Sequence, residues 1–507
     1  MRIQSCQVNV ASRIFAVTAL LGVLLAAGCS VTRTYAVGGT ASRLQGSGLV
    51  LQINGGANLP VTANGAFTFA AGLKSGAMYT VTVSTQPSNP SQFCSVTNGT
   101  GMVTNSQVTS VSVTCVYTTT ALVTTEATNN GCVAPCNPGN NRVLIYNTPL
   151  VTGQSASVVL GQPDFLTFAV VTPPTATSVN NPTATAEDRS GNLYVADDLN
   201  CRVLQFVPPL TSGKAASVAL GQPNTSTANC PAVPSATTLG NSNSGGDQVI
   251  AVNFDGSGNL WVSDTGSNRV LEYKPPFTTD MSATLAIGQA DLSSGDPNRS
   301  TVLGAPPTNS SLSNPDWFTF DFSGNLWVPD AINNRVLEFQ PPFTMGMAAN
   351  LVLGQTGFTQ SSANEGAAAG SMSLSNPVSA IFDLSGNLWV SDDGNSRVLE
   401  YQPPFTTHMA ATLVLGQPDF THVATNQGGT APTAATLNFP LQLAFDSSGN
   451  LMVTDFGNNR TLVYSPPFTT GMNASVVLGQ PGFTTSTPAT TATGQDSSAG
   501  VSVAPPL

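Results

Sequence analysis

Charge is scarce in this 507-residue chain: only 8% of its residues are Asp, Glu, Lys or Arg, and it has two histidines. Lysine and arginine form no cluster and the net charge is −11, so the electrostatic attraction that drives nucleic-acid binding is missing. Few Glu and Lys residues also disfavour long surface helices. Gly, Pro and small polar residues are abundant instead, which favours short strands joined by turns.

A long apolar run near the N-terminus predicts an export signal. Arg2 and Arg13 precede the apolar stretch 14–27, which is too short for a comfortable membrane span. The stretch ends in LLAAGCS, which resembles the bacterial lipobox. We therefore expect residues 1–28 to be a signal peptide, and residues 29–34 to form an anchor and linker lipidated at Cys29. The alternative is an ordinary cleaved signal with an incidental cysteine.

The lipobox resemblance implies a protein exported and anchored through lipid in the bacterial cell envelope. We expect the outer membrane, and the sequence leaves open whether the protein faces the periplasm or the exterior. Outside the cytoplasm an even number of cysteines favours disulfides. The pairings that are near in sequence join Cys94 to Cys115, Cys132 to Cys136, and Cys201 to Cys230.

Residues 35–117 alternate apolar and polar positions between Gly and Asn turns, as in GLVLQIN and MYTVTVS. This pattern resembles the small β-sandwich modules that bacteria place between a lipid anchor and a functional domain. In such a module Cys94 and Cys115 would tie two neighbouring strands. Nothing in this segment suggests catalysis, so we expect a spacer.

Residues 118–507 repeat one unit of 60 to 67 residues. The unit SGNL(Y/W)V(A/S)D…NRVL(E/Q)(Y/F) recurs at 190–206, 257–273, 323–339, 385–401 and 448–464, and a half unit, NNRVLIY, lies near residue 142. Each repeat holds four strand-like runs and no helical periodicity. Six units of four short antiparallel strands predict an all-β fold, a six-bladed β-propeller. The half unit and the C-terminal AGVSVAPPL predict that both chain ends share the first blade.

These motifs resemble the NHL-repeat family, whose pattern is NP…FD.SGNLYVAD..NNRVL. In a meandering blade the D..NNR turn and the connection after the (L/I)GQ motif share one face of the disc, while the SGN and PPFTT turns share the other. The connections after LGQ are long and differ between repeats, and such loops usually hold binding specificity. We name the first face the long-loop face and the second the turn face, and we place function on the long-loop face.

The repeated Asp and Arg residues are interpreted as structural, because five or six equivalent copies around a ring cannot converge on one site. Departures from the repeat are more informative. Trp317 follows Asp316 where an inner strand begins, at the channel mouth on the long-loop face, and Ser379 and Gln442 belong to the equivalent segments of later blades. With Asp247 they form our candidate ligand-binding set. An aromatic ring beside a carboxylate suits a sugar or a cationic group, although an ordinary, partly buried structural Trp is the simpler explanation of Trp317.

Glu187 stands where the other blades have Phe254, Phe320, Phe382 and Phe445, and a carboxylate in a core position needs a partner or water. Pairing with Arg189, or exposure at an edge, is the simplest explanation. Under an alternative reading Glu187, Asp247 and Asp316 would hold one divalent metal, calcium or zinc.

Three classes of function compete. The first is a lipid-anchored binding or scaffold module for an unknown surface protein or glycan, without cofactor, catalytic residue or nucleic acid. The second, the metal reading, is a hydrolase resembling the gluconolactonase-like propellers. The third resembles the propeller lyases, which depend on channel histidines. His408 is expected in a PPFTT turn on the turn face and His422 in a loop, so neither lies on an inner strand. P-loop, HExxH and GxSxG motifs are lacking, and we favour the binding module.

Overall fold

The computed structural model describes residues 33–504 except 45–46, 88–91, 118–120, 127–139, 148–149 and the single positions 189, 245, 303, 447, 490 and 497. Cys29, Cys132, Cys136 and the predicted signal peptide therefore lie outside the described residues. In the described part of the chain, no helix has the length and hydropathy needed to span a bilayer.

The N-terminal module, here residues 34–117, is built from ten short strands in three sheets. One four-stranded sheet has the order β5-β2-β10-β8, with β2 and β10 parallel, and another has the order β4-β3-β7-β9, while β1 pairs with β6. The strands are β1 Thr34–Tyr35, β2 Val37–Ser42, β3 Leu49–Ile53, β4 Ala57–Val61, β5 Gly65–Thr68, β6 Leu73–Lys74, β7 Met78–Thr85, β8 Gln92–Thr97, β9 Thr100–Met102 and β10 Val108–Tyr117.

Period-two alternation builds the core of this module. Leu49, Leu51 and Ile53 of β3 point inward while the residues between them are half-buried, as expected where side chains alternate between the two faces of a sheet. Cys94 and Cys115 are register partners on β8 and β10 and form a disulfide, which confirms that this bridge ties neighbouring strands.

Residues 121–504 form a β-propeller. The described residues contain six successive four-stranded antiparallel sheets, each with strand A nearest the axis and strand D outermost. In blades two to six, the strands in A to D order are β14 Pro182–Glu187, β15 Leu193–Asp197, β16 Arg202–Phe206 and β17 Val218–Leu220; β18 Ala251–Phe254, β19 Leu260–Asp264, β20 Arg269–Tyr273 and β21 Leu285–Ile287; β22 Thr319–Phe320, β23 Leu326–Asp330, β24 Arg335–Phe339 and β25 Leu351–Leu353; β26 Pro377–Phe382, β27 Leu388–Asp392, β28 Arg397–Tyr401 and β29 Leu413–Leu415; and β30 Pro440–Phe445, β31 Leu451–Asp455, β32 Arg460–Tyr464 and β33 Val476–Leu478.

The first blade combines the two ends of the repeat region. It contains β11 Ala121–Glu126, β12 Arg142–Asn147 and β13 Val158–Leu160, and its A strand is the C-terminal β34 Ser498–Ala504. β34 pairs antiparallel with β11 and packs between β14 and β30. The backbone pairing within one blade thus joins residues 372 to 383 positions apart, from Glu126 with Ser498 to Ala121 with Ala504, and closes the ring.

Tryptophans of the B strands pack one blade on the next. Trp261 makes edge-to-face contacts with Phe320 and Phe343 of the following blade, and Trp327 and Trp389 make the equivalent contacts one and two blades later. Trp261 is fully buried, and its indole N–H donates to Asp255 at 3.1 Å. These residues therefore belong to the scaffold and fix where the loops leave it.

Candidate functional site

Buried arginines hold the long-loop face together. In blades two to six the Nε atom of the repeat arginine lies 2.5 to 2.7 Å from an Asp oxygen five residues earlier, and both side chains are fully buried. Arg269 shows the rest of the pattern: it donates to the Leu292 carbonyl of its own D–A loop and to the Ser235 and Thr238 carbonyls of the preceding loop. Each arginine therefore clamps two loops that are far apart in sequence.

The glutamine of the LGQ motif adds a second clamp. Gln289 donates to the carbonyls of Asn268, in the B–C turn, and Asp296, in the D–A loop. The other five glutamines do the same at equivalent positions, namely Gln162, Gln222, Gln355, Gln417 and Gln480. The long loops are thus held by side chains the repeat supplies, which leaves their outer residues free to vary.

A third interaction, a hydrogen bond from an asparagine side chain to the long loop, explains why one blade has a disulfide on this face. Asn268, Asn334 and Asn459 end their turns with positive φ, and each donates its side-chain N–H to a loop carbonyl 27 residues later. At the equivalent position Cys201 has φ +50° and is bonded to Cys230, 29 residues later. The predicted 201–230 bridge is confirmed, and it takes the place of the asparagine hydrogen bond in this blade.

Apolar side chains are concentrated on the long-loop face. Of the fifteen large apolar residues that are exposed in the described structure, ten lie in the D–A loops, the B–C turns or the residue before an inner strand. They are Leu166, Phe168, Val170, Val171, Val233, Val302, Ile332, Met372, Val423 and Phe439. Most of the large apolar side chains that the described structure exposes therefore belong to this face.

Beneath the loops, Asp316 lies close enough to Asp198, Asp247 and Asp393 for their charges to act on it. Asp316 is buried, and burial raises its pKa well above the usual value, with further contributions from the charges of Asp247, Asp393 and Asp198. Burial, together with Asp247, raises the pKa of Asp198 to about 7, although Asp198 accepts backbone N–H bonds from Gln248 and Val249. Burial raises the pKa of Asp393 to about 6.

Asp198 and Asp393 were not among the site residues predicted from the sequence. Each immediately follows the Asp that pairs with the repeat arginine, where other blades have Thr265, Ala331 and Phe456. That difference was visible in the aligned repeats and is the signal that could have identified them. Among the described residues no three acidic, histidine or cysteine side chains are placed to share a metal ion.

Trp317 lies at the joint between two blades rather than on an open mouth. Its backbone N–H donates to the Val378 carbonyl and its carbonyl accepts from Ala380, so that it forms a bridge beside Ser379. Its side chain is only 6% exposed, and the indole N–H has no partner in the described part of the chain. Asp316 and Trp317 are thus adjacent but lie below the surface of the long-loop face.

Trp317, Ser379 and Gln442 line one cavity of about 850 Å³ that follows the axis toward the turn face. Asp247 and Asp316 are not on its wall. The N-terminal module contributes Ser42, Arg43, Asn64 and Gln92 to the same cavity, so it covers the axis on the turn face. The guanidinium of Arg43 lies over the ring of Phe322, 4.5 Å from its centre. No sequence signal indicated this contact between module and propeller.

Glu187 lines the same cavity near its turn-face end, because it is the last residue of β14 and precedes the Asp188 turn. Partial burial, and next the charge of Asp188, raises the pKa of Glu187 to about 9. Its Oε2 atom has no partner among the described residues, and Arg189 is outside them. Glu187 lies four strand positions from the level of Asp316, roughly 13 Å. The structure therefore brings Asp247 and Asp316 together but places Glu187 apart.

His408 has a different position from the one expected. After the PPFTT turn the chain runs back along the rim, and the His408 N–H donates to the Val352 carbonyl of the preceding blade. Its Nε2 atom lies 2.6 Å from Oε1 of Glu365, a residue of a D–A loop. The expected placement on the turn face is therefore wrong, because this connection spans two blades.

Comparison with known proteins identifies no family: no family model and no curated protein matches the chain. The chain is similar to a putative 6-phosphogluconolactonase from Bacteroides uniformis ATCC 8492, at 12% identity over 76% of this chain and 99% of that one, with a TM-score of 0.40. It is also similar to virginiamycin B lyase from Staphylococcus aureus, at 12% identity over 64% and 75%, with a TM-score of 0.34. The WD40 propeller domain of Doa1 gives 8% identity over 68% and 78%, with a TM-score of 0.35. At these levels no activity carries over, and the NHL resemblance stays an interpretation of the sequence.

Proposed function

We propose that this protein is a binding module of the bacterial cell envelope that engages a protein partner through its long-loop face. The observation that carries the proposal is the set of ten exposed apolar side chains on loops held by the arginine and glutamine clamps. Held loops lose little conformational entropy on binding, so such a surface is organised before the partner arrives.

The chemistry of the face favours a protein over a glycan. Glycan sites depend on exposed Tyr and Trp rings, and the described D–A loops contain no Tyr and only the buried Trp317. Aliphatic side chains such as Leu166, Val233 and Val302, each at least two-thirds exposed, suit the apolar centre of a protein interface instead. A metal-dependent lactonase has less support, because Glu187 lines the cavity while Asp247 and Asp316 do not.

The proposal is tested with paired variants on the two faces. Leu166→Asp with Val302→Asp places two carboxylates on the long-loop face, and Val151→Asp with Val207→Asp makes the same change on the turn side. Wild-type protein and both variants are cross-linked in envelope extract, after unfolding temperatures have shown that all three are folded. A partner captured by wild type and control but lost from the loop variant supports the proposal. Equal capture by all three proteins, or no capture by wild type, overturns it.

The lipid anchor is a separate part of the proposal and rests on the LLAAGCS motif, which precedes the described residues. A multiply acylated Cys29 would hold the protein at a membrane, because each buried methylene contributes about 0.8 kcal/mol. Cys29→Ala should move the protein from the membrane fraction to the soluble fraction, and Cys6→Ala is the matched control. Unchanged fractionation of Cys29→Ala would show that the anchor assignment is wrong.

A further inference from the structure

We propose that the cavity between the N-terminal module and the inner strands binds a small organic cation, with Glu187 as its counter-ion and the indole N–H of Trp317 donating to an oxygen of the same ligand. This site is distinct from the long-loop face, since it lies along the axis between the inner strands and the module that covers the turn face. A volume of about 850 Å³ is in the range of small-molecule pockets.

Two unsatisfied polar groups on the wall indicate a missing ligand. The indole N–H of Trp317 is buried without a partner, and so is the Oε2 atom of Glu187 among the described residues. Buried donors and acceptors are nearly always paired in folded proteins, and an unpaired one costs about 1 to 3 kcal/mol. Along the axis the two groups lie at levels three strand positions apart, and they belong to different blades. A ligand with a cation at one end and an oxygen at the other would satisfy both.

Charge selects the class of ligand. The described residues that line the cavity include five carboxyl groups, from Glu187 and from Asp188, Asp255, Asp321 and Asp446, against the single guanidinium of Arg43. The four Asp residues accept hydrogen bonds from their own turns, as Asp255 does from Ser257 and Asn259, so their carboxyl groups are held in place beside the cavity. The resulting negative potential favours a cation over a neutral sugar or an anion.

Aromatic rings complete the site. Phe254, Phe320 and Phe382 line the cavity at the level of Glu187, which replaces the equivalent ring in its own blade. Ammonium groups are attracted to aromatic faces, and the attraction is stronger where water is excluded. One carboxyl group among several rings is therefore an arrangement that suits an alkylammonium group. Glu187, a carboxyl group that looked unfavourable at a core position of the sequence, is therefore the residue that recognises the ligand.

Isothermal titration of the full chain with choline, tetramethylammonium, putrescine and arginine tests the proposal. At least one of these cations should bind with a dissociation constant below about 1 mM. For choline the neutral isostere 3,3-dimethylbutan-1-ol provides a direct comparison, and it should bind at least about tenfold more weakly, because it lacks the charge. Saturable binding by none of the four cations, or equal binding by the neutral isostere, would overturn the proposal.

Variants of Glu187 and Trp317 test the role of each residue in binding the cation. Glu187→Gln keeps the shape but removes the carboxyl group that can lose its proton and become the counter-ion, so it should weaken cation binding at least about tenfold. Trp317→Phe should weaken it several-fold by removing the indole N–H. Glu365→Gln, on the outer rim, is the matched control and should bind as wild type does. Binding by Glu187→Gln at wild-type strength would show that Glu187 is not the counter-ion.

Proton release on cation binding can be measured with the wild type alone, so this test does not depend on whether the variants fold. Because burial raises the pKa of Glu187 to about 9, the free protein holds a proton there at neutral pH, and a bound cation would favour its release. Titrations in two buffers of different ionisation enthalpy should therefore show net proton release at pH 7. Cation binding without proton release would overturn the role of Glu187.

Discussion

The Nε atom of Arg142 lies 2.8 Å from Oε2 of Glu126, a residue 16 positions earlier on the neighbouring strand. In the other five blades the partner is an Asp only five residues before the arginine. Arg142 also donates to the carbonyls of Thr491 and Gly494, from the last loop of the chain. The ring is therefore closed by the same kind of arginine clamp that joins all the other neighbouring blades. In the first blade Glu126 replaces the usual Asp.

We expect loss of one clamp to destabilise the propeller strongly. Arg335→Met leaves Asp330 buried without its cation and removes the donors to the carbonyls of Phe358, Thr308 and Ser311. Breaking a buried ion pair on one side typically costs about 3 to 5 kcal/mol. Urea unfolding followed by circular dichroism measures the change in the free energy of unfolding.

Arg299→Met is the control for this experiment. Arg299 is half-buried and, among the described residues, donates only to the Gly288 and Gly346 carbonyls, so its loss should cost about 1 to 2 kcal/mol. Equal destabilisation by the two variants would contradict the special role of the repeat arginine.

An asparagine at position 201, as in most of the other blades, should restore part of the stability that the disulfide on the long-loop face provides. Removing the 201–230 bridge frees a loop of about 30 residues, which costs about 3 to 4 kcal/mol by chain entropy. Cys201→Asn with Cys230→Ser should recover about 1 kcal/mol relative to Cys201→Ala with Cys230→Ser, because Asn tolerates positive φ and can donate as Asn268 does. Thermal unfolding of the two double variants gives the difference. A more stable Ala variant would exclude the proposed equivalence.

Glu187 should make stability fall as the pH rises. The pKa of Glu187 is raised to about 9 in the folded chain, so the folded state keeps a proton that the unfolded chain has lost above pH 4.5. This contribution to stability is complete below the unfolded pKa and is lost as the pH rises toward 9. Relative to Glu187→Gln, the wild type should therefore lose about 1 kcal/mol per pH unit between pH 5 and 8. Denaturant unfolding at several pH values measures the trend, and a constant difference between the two proteins would contradict it.

The contact of Arg43 with Phe322 should hold the N-terminal module over the axis. Arg43→Ala removes a cation–π contact of about 0.5 to 1 kcal/mol, so amide hydrogens of the 321–324 turn should exchange faster with solvent. Arg33→Ala is the control, since Arg33 lies over Tyr35 within the module itself. Unchanged exchange in Arg43→Ala, or the same increase in both variants, would show that Arg43 does not hold the module in place.

Much of the fold could be predicted because each blade repeats its own local signals. The Asp before SGN, as in Asp255, bonds the turn that follows it, and the Asp–Arg pair spans a single tight turn. These contacts lie within six residues of each other, so the sequence pattern contains both partners. The disulfides of Cys94 and Cys201 join residues 21 and 29 positions apart, and they were predicted from the pairing of nearby cysteines in an exported chain.

The site was less predictable. Trp317 and Glu187 were identified as departures from the repeat, but their shared cavity depends on inner strands from several blades and on Arg43 from another module. The burial of Asp316, and the joint that Trp317 forms with Ser379, depend on how two blades meet. A sequence pattern over a few neighbouring residues cannot predict such contacts.

The sequence by itself determined the repeated unit, its four strands and the residues that differ between copies, because strand alternation and turn chemistry act over a few neighbouring residues. Only the tertiary structure decided which of those differences face one another. Ring closure brings Glu126 to Arg142 and to the last loop, and the N-terminal module covers the axis beside Glu187. Both arrangements result from packing between segments that are distant along the chain, and the physical properties of the site arise there, from burial and from charges that meet in space.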